Sequence, residues 1–101
     1  MTNITKISDI TYSDLADYLR IEEYEDTDVI NTLNTALTVA KAYVVSYTGR
    51  TLEELDELQD VIIVILILVQ DMYDNRTLYV DSTNINHVVE SILDLHSVNL
   101  L

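Results

Sequence analysis

Val61-Ile62-Ile63-Val64-Ile65-Leu66-Ile67-Leu68-Val69 is the stretch that decides the fold, because nine consecutive apolar residues must be covered by something. A membrane span needs about 20 apolar residues, and Asp60 and Gln70-Asp71 end this run too early. A buried strand suits the β-branched residues, and periodicity alone does not exclude it. A helix that is apolar on every side is the third interpretation.

The flanking residues favour the helix. Thr51-Leu52-Glu53-Glu54 has the pattern of a capping box, in which the threonine hydroxyl and the second glutamate satisfy amides of the first turn. Met72 and Tyr73 continue helical spacing from Leu66 and Val69. We therefore predict one long apolar helix that begins at the capping box and continues through residue 73.

Such a helix is difficult to cover in a chain of 101 residues. A domain of this size buries only about two-thirds of its extended-chain surface, so three partner helices leave part of residues 61–69 exposed. An exposed patch of Val, Ile and Leu is an association site or an aggregation hazard. We therefore expect the protein to work in an assembly.

The composition limits the possible partners. Eighteen Asp and Glu against five Lys and Arg give a formal net charge of -13, while 49% of residues are apolar. This charge argues against binding a nucleic-acid backbone or an anionic membrane surface. The absence of Cys excludes disulfides, thiolate metal sites and a cysteine nucleophile. The N-terminal residues lack a secretory apolar run, so we expect an intracellular product.

The near absence of turn residues indicates the fold class. One Gly and no Pro are too few for a β-sandwich or barrel. We predict an all-α fold, a single domain over residues 1–101 with about four helices: a short helix, two long helices and a C-terminal helix. Residues 1–11 are an extended lead-in anchored by isoleucines at 4, 7 and 10. The apolar tail, residues 96–101, folds back on the bundle or inserts into a partner.

The shorter elements follow from local signals. We predict a first helix capped by Ser13 that ends near Ile21, followed by an acidic loop. Residues 74–83 form a loop with one short extended piece at 78–80. The final helix runs from Asn86 to Leu95.

The second helix has the clearest pattern. Asp26 or Thr27 can cap it, and Gly49 is placed for a left-handed C-terminal cap. Between them one apolar stripe recurs at steps of three and four: Ile30, Leu33, Leu37, Ala40, Val44 and Tyr47. From residue 29 to 48 the only charged residue is Lys41. The side of this helix away from the apolar stripe is therefore uncharged. It reflects either a compositional bias towards Thr and Asn or a face turned towards another subunit.

No pattern of catalytic or metal-binding residues emerges. His87 and His96, nine residues apart on one helix, point in opposite directions and cannot share a metal. The acidic clusters at 22–28 and 53–60 lack the ligand alternation and glycine of a calcium loop. Carboxylates are so abundant that no catalytic pair can be singled out, which leaves a metal-dependent hydrolase as a third-ranked alternative. We predict no catalytic, metal or cofactor site.

The order of landmarks along the chain resembles a known family. Asp14-Leu15-Ala16-Asp17-Tyr18-Leu19-Arg20-Ile21 is followed by an acidic loop, a long helix ending in Tyr47-Thr48-Gly49-Arg50, and an apolar helix ending in Tyr73-Asp74-Asn75-Arg76. Over residues 12–80 this is similar to the head–tail connector proteins of tailed bacteriophages, also called adaptor or head-completion proteins.

The resemblance implies a structural role without enzymatic activity. Connector proteins are small α-helical bundles that form a ring of about a dozen copies beneath the portal. The ring extends the DNA channel and docks the tail or a stopper protein. The resemblance also implies a virion protein located at the neck, the junction of head and tail, and made in the host cytoplasm. It implies no membrane partner. An acidic channel wall suits this role, because it lets DNA pass without binding.

The resemblance also implies candidate contacts with neighbouring subunits or the portal at Arg50, Tyr73 and Arg76, and the apolar tail adds Leu100 and Leu101. Gly49 is a structural helix cap. The alternative for both arginines is a local one, complementing a helix C-terminus and pairing with a carboxylate. Tyr47 and Tyr73 are alternatively core aromatics with a hydrogen-bonded hydroxyl.

A function of another class is also compatible with the composition. An acidic regulatory module, such as an inhibitor or a DNA mimic, would hold a basic partner through the carboxylates at 22–28 and 53–60. Such binding would weaken with salt, whereas assembly through apolar faces would tolerate salt.

Overall fold

The chain folds into α-helices, with a long loop over residues 75–86 before the last one, in a computed structural model that describes residues 4–22 and 25–98. The helices are α1 (Tyr12–Leu19), α2 (Thr27–Thr48), α3 (Leu52–Leu55), α4 (Val61–Asp74) and α5 (His87–His96), preceded by a 3₁₀ turn, Ile7–Asp9. These described residues contain no β-strand. The prediction of an all-α bundle is confirmed, and the strand interpretation of residues 61–69 is wrong.

The core lies between α2 and α4, and α1, α5 and the 3₁₀ turn close its sides. Its largest fully buried side chains are Ile7, Leu15, Leu33, Leu55, Ile65, Met72 and Leu93, with Val44, Val61, Val64, Val69 and Val89. The molecule measures 45 × 30 × 18 Å, and its shortest dimension matches two layers of helices packed about 9 Å apart.

The predicted long helix α2 is confirmed at both ends. The Asp26 carboxylate, rather than the Thr27 hydroxyl, accepts hydrogen bonds from the first-turn amides of Asp28 and Val29 at 2.8 and 3.3 Å. Gly49 ends the helix with φ of 71°, a conformation that costs glycine no steric strain. The predicted stripe faces inward, with its central members buried.

The prediction of one continuous helix after the capping box is wrong. The Thr51–Glu54 capping box forms, but α3 ends after one turn, and residues 56–60 make tight turns before α4 begins. At this break the lead-in contacts the chain: the Ser8 amide and hydroxyl both donate to the Asp56 carboxylate, at 3.1 and 2.6 Å. The predicted third helix is therefore two helices.

The predicted start and end of α1 are also wrong. Thr11, not Ser13, is the N-cap, because Asp14 lies three residues later and completes a capping box with it. The helix ends at Leu19, since Arg20 adopts a left-handed conformation with φ of 59°.

The two ends of the chain were predicted in part. The 3₁₀ turn replaces a fully extended lead-in, although Ile7 and Ile10 are buried as expected. Residues 78–80 form bends rather than an extended piece. Asn86 caps α5. The predicted contacts of Leu100 and Leu101 lie outside the described residues.

Candidate functional site

Two of the predicted contact residues line the same cleft. Tyr73 and Arg76, at the C-terminal end of α4, border a cavity of about 520 Å³ with the first turns of α2 and residues 77–78. Arg50 lies beyond the other end of α2, about 30 Å away along a helix of 22 residues. The structure therefore brings Tyr73 and Arg76 together and separates Arg50 from them.

Arg76 has an unusual backbone conformation. Its φ of 54° is left-handed, and the Thr77 amide behind it donates to the Met72 carbonyl at 2.9 Å, which closes the end of α4. A residue other than glycine is strained there. Its exposed guanidinium makes no ion pair within residues 4–22 and 25–98. The side chain is thus available to a partner at a position where glycine would be more stable.

The lining of this cleft suits recognition. Asp28, Asp74 and Arg76 supply charges at its walls, and Val29 and Met72 supply apolar surface. No histidine or serine lines it, and the chain has no cysteine. The arrangement offers hydrogen-bond partners and apolar contact to a docking side chain.

Arg50 is engaged within the molecule. Its Nε donates to the carbonyl of His96 at 2.5 Å, and its guanidinium lies 3.6 Å from the Glu54 carboxylate. The Val98 amide also donates to the Thr48 carbonyl at 2.8 Å. Arg50 therefore fastens the end of α5 to the α2–α3 corner, as its local interpretation anticipated.

Two further side-chain contacts join α5 to the bundle. The His96 Nε2 lies 2.8 and 2.9 Å from the Asp60 carboxylate oxygens, which ties the end of α5 to the start of α4. The Tyr47 hydroxyl donates to Asp94 at 2.5 Å. That hydrogen bond, with smaller effects from burial and nearby acids, raises the pKa of Tyr47 to about 12.

An apolar surface is exposed on α4 and α5. Ile63 and Val88 are each 50% exposed and Leu95 is 74% exposed, while Ile67 and Ile92 are partly buried. We call these five residues the α4–α5 patch. The prediction that a small bundle leaves part of the apolar helix uncovered is confirmed by Ile63 and Ile67.

The register of α4 and α5 places the members of this patch at matching heights along the two helices. The helices are antiparallel: His96 contacts Asp60 at one end, and Ile85 lines a small cavity with Met72 at the other. One turn inward from the His96–Asp60 contact, Ile92 comes level with Ile63. A further turn brings Val88 level with Ile67. Leu95 lies on the same side of α5 as Val88 and Ile92.

The outward side of α2 is polar but uncharged. Beyond the first turn, where Thr27 and Asp28 are exposed, the exposed residues of α2 are Asn31, Asn34, Thr35, Thr38, Ala42 and Ser46, which we call the α2 face. They lie opposite the buried stripe of α2, and that stripe packs on α4. The α2 face and the α4–α5 patch are therefore on opposite sides of the bundle.

Sequence reasoning missed the part of the patch that α5 contributes. The sequence indicates one apolar side for α5, formed by Val88, Val89, Ile92, Leu93 and Leu95, and of these Val89 and Leu93 are buried. The signal in the sequence was the width of the apolar side of α5, because that side is wider than a single packing contact covers.

Other kinds of site are not evident in the described part of the chain. It holds no group of three or more His, Cys, Asp or Glu side chains placed to bind a metal ion. His87 and His96 lie at the two ends of α5. No helix in residues 4–22 and 25–98 combines the length and hydropathy of a membrane span. The chain matches no protein-family profile, and neither a curated protein nor a solved structure is significantly similar to it.

Proposed function

We propose that this protein is a structural subunit of a ring: a head–tail connector, or adaptor, of a tailed bacteriophage. In this role it binds beneath the portal, extends the DNA channel and docks the tail or a stopper protein. The observation that carries the proposal is the α4–α5 patch, because such an apolar surface on a highly acidic small protein calls for a permanent neighbour.

The positions of the resembling motifs support the same role. The segment ending in Arg50 closes α2, and the segment ending in Arg76 closes α4. Arg76 is exposed beside a cleft and offers a guanidinium to a portal carboxylate. We assign Arg76 and Tyr73 to the portal contact and Arg50 to the internal fastening of α5.

Electron microscopy tests the proposal. The purified chain is imaged alone and after mixing with the portal ring encoded in the same genome. We expect rings of the chain, alone or on the portal. Failure to form rings in both samples, together with no co-sedimentation with the portal, would reject the role.

Paired variants test the portal contact. Arg76→Gly and Arg20→Gly both place glycine at a left-handed helix end, so the backbone effect is matched. We expect Arg76→Gly to weaken portal binding at least about tenfold and Arg20→Gly to leave it unchanged. Equal binding by both variants would show that Arg76 is not a contact.

The acidic regulatory module is the second candidate, and exposed carboxylates on Asp28, Glu53 and Glu57 favour it. It predicts that partner binding falls steeply with ionic strength. Assembly through the α4–α5 patch predicts equal or stronger association as salt rises. Sedimentation across a salt series separates the two functions.

A further inference from the structure

We infer that copies of this chain associate head to tail, with the α4–α5 patch of one copy seated on the α2 face of the next. This inference rests on the proposed ring and specifies its subunit contact. It concerns two surfaces that are both described by the structure and lie on opposite sides of the bundle.

Charge selects the surface on which the patch can sit. Covering a carboxylate with an apolar side chain removes its hydration, which costs several kcal/mol unless a partner compensates. Acidic residues occur on the exposed surfaces of α1, α3, α4 and α5, and at Asp28 in the first turn of α2. The α2 face runs about 23 Å from Asn31 to Ser46 without an acidic side chain.

The Thr38 hydroxyl, at the middle of the α2 face, tolerates this contact. Thr38 already donates its hydroxyl to the Asn34 carbonyl at 3.0 Å, so covering it leaves that donor satisfied. Ala42 and Ser46 are small, which lets an approaching helix come close. Lys41, beside the face, is the one Lys or Arg between residues 27 and 48, and it can approach an acidic neighbour.

The placement of the two surfaces determines the kind of assembly. A patch that bound another patch would give a closed two-fold dimer and leave the α2 face unused. A contact between different surfaces on opposite sides repeats from copy to copy and produces a ring or a filament. Each copy then carries one free patch and one free α2 face until the ring closes.

Complementary single variants test this arrangement. Leu95→Glu disables the patch, Thr38→Glu disables the α2 face, and Ser13→Glu on exposed α1 is the matched control. All three positions are exposed, so the folds are expected to persist, which circular dichroism checks. In sedimentation velocity, wild type and the control should self-associate, and each face variant should associate at least about tenfold more weakly.

The decisive sample is an equimolar mixture of Leu95→Glu and Thr38→Glu. Each variant retains the face that the other lacks, so the mixture should form a 1:1 heterodimer and nothing larger. Wild-type behaviour of Thr38→Glu alone, or no heterodimer in the mixture, overturns the inference. A wild-type chain that is monomeric up to about 1 mM also overturns it, since specific interfaces are populated at that concentration.

Disulfide trapping gives an independent readout, because the chain has no cysteine of its own. Under oxidising conditions Leu95→Cys mixed with Thr38→Cys should form a crosslinked heterodimer, and Ser13→Cys mixed with Thr38→Cys should not. Equal crosslinking in both mixtures overturns the inference. If rings form on the portal but these contacts are absent, the proposed function stands and the inferred interface fails. If the heterodimer forms but the chain does not bind the portal, the interface stands and the proposed function fails.

Discussion

Tyr47 links α2 to α5 through a hydrogen bond to the Asp94 carboxylate. The bond raises the pKa of Tyr47 from 10.0 to about 12, so the folded chain holds the phenol proton more tightly than the unfolded chain. Its stabilisation is complete below pH 10 and is lost as the pH rises towards 12. We expect Tyr47→Phe to lower the free energy of unfolding by about 1 kcal/mol at neutral pH.

Urea unfolding of wild type and Tyr47→Phe across alkaline pH checks this expectation. The difference in stability should shrink between pH 10 and 12. Ultraviolet titration of tyrosinate should show one fewer late-titrating phenol in the variant. If the stability difference between wild type and Tyr47→Phe did not change with pH, the phenol proton of Tyr47 would not be its source. Tyr12→Phe, which removes a phenol elsewhere, is the control.

At neutral pH Asp71 lowers the stability of the fold, whereas Tyr47 raises it. Partial burial, and secondarily the charge of Asp74, raise the pKa of Asp71. Its ionised form therefore opposes folding at neutral pH, and stability is regained as the pH falls through the raised pKa. We expect Asp71→Asn to stabilise the protein by about 0.5 kcal/mol at neutral pH. Thermal unfolding well below pH 3.8 should show no difference, and a variant less stable than wild type at neutral pH would contradict this account.

Arg20 and Arg76 both occupy left-handed positions at helix ends. Glycine avoids the clash of Cβ with the backbone there, so Arg20→Gly and Arg76→Gly should each raise the free energy of unfolding by about 1 kcal/mol. Gly49→Ala at the equivalent end of α2 should lower it by a similar amount. Chemical denaturation measures all three. Loss of stability in both arginine variants would mean that their side chains support the fold.

Within α4, two isoleucines two positions apart have different surroundings. Ile65 is fully buried, whereas Ile63 is 50% exposed in the α4–α5 patch. We expect Ile65→Ala to cost about 3 kcal/mol and Ile63→Ala less than about 1 kcal/mol. Denaturation of monomeric protein at low concentration makes the comparison. Similar losses would mean that Ile63 is covered.

The elements with complete local signals were predictable. α2 has a capping aspartate, a continuous apolar stripe and a glycine that ends it, and each signal lies within the helix or next to it. The start of α1 was also available, because Thr11 and Asp14 have capping-box spacing. The all-α class followed from the scarcity of turn residues.

The break between α3 and α4 could not be predicted in this way. The contact made there joins Ser8 to Asp56, which are 48 positions apart in the chain, and no local signal indicates it. The candidate site divides similarly: the resemblance singled out Tyr73 and Arg76 as contact residues. Their cleft depends on Asp28 and the first turn of α2, which only tertiary packing brings near.

For the whole molecule, a net charge of -13 sets the response to salt. Mutual repulsion among carboxylates opposes the compact state and opposes association of copies. We expect added sodium chloride up to about 0.5 M to raise the Tm, because ions screen this repulsion. Differential scanning calorimetry measures the effect, with a nonionic solute of equal osmolality as control. A Tm that falls with salt would indicate that attractive ion pairs dominate.

The late position of α5 in the chain has a consequence during synthesis. α4 leaves the ribosome before the helix that contacts it through Asp60 and His96. At 5–20 residues per second, about 20 more residues occupy roughly one to four seconds. During that interval the side of α4 that α5 later covers is exposed to the surrounding cell fluid. Hsp70-like holdases recognise such segments, so yield on expression should depend on chaperone supply and translation speed.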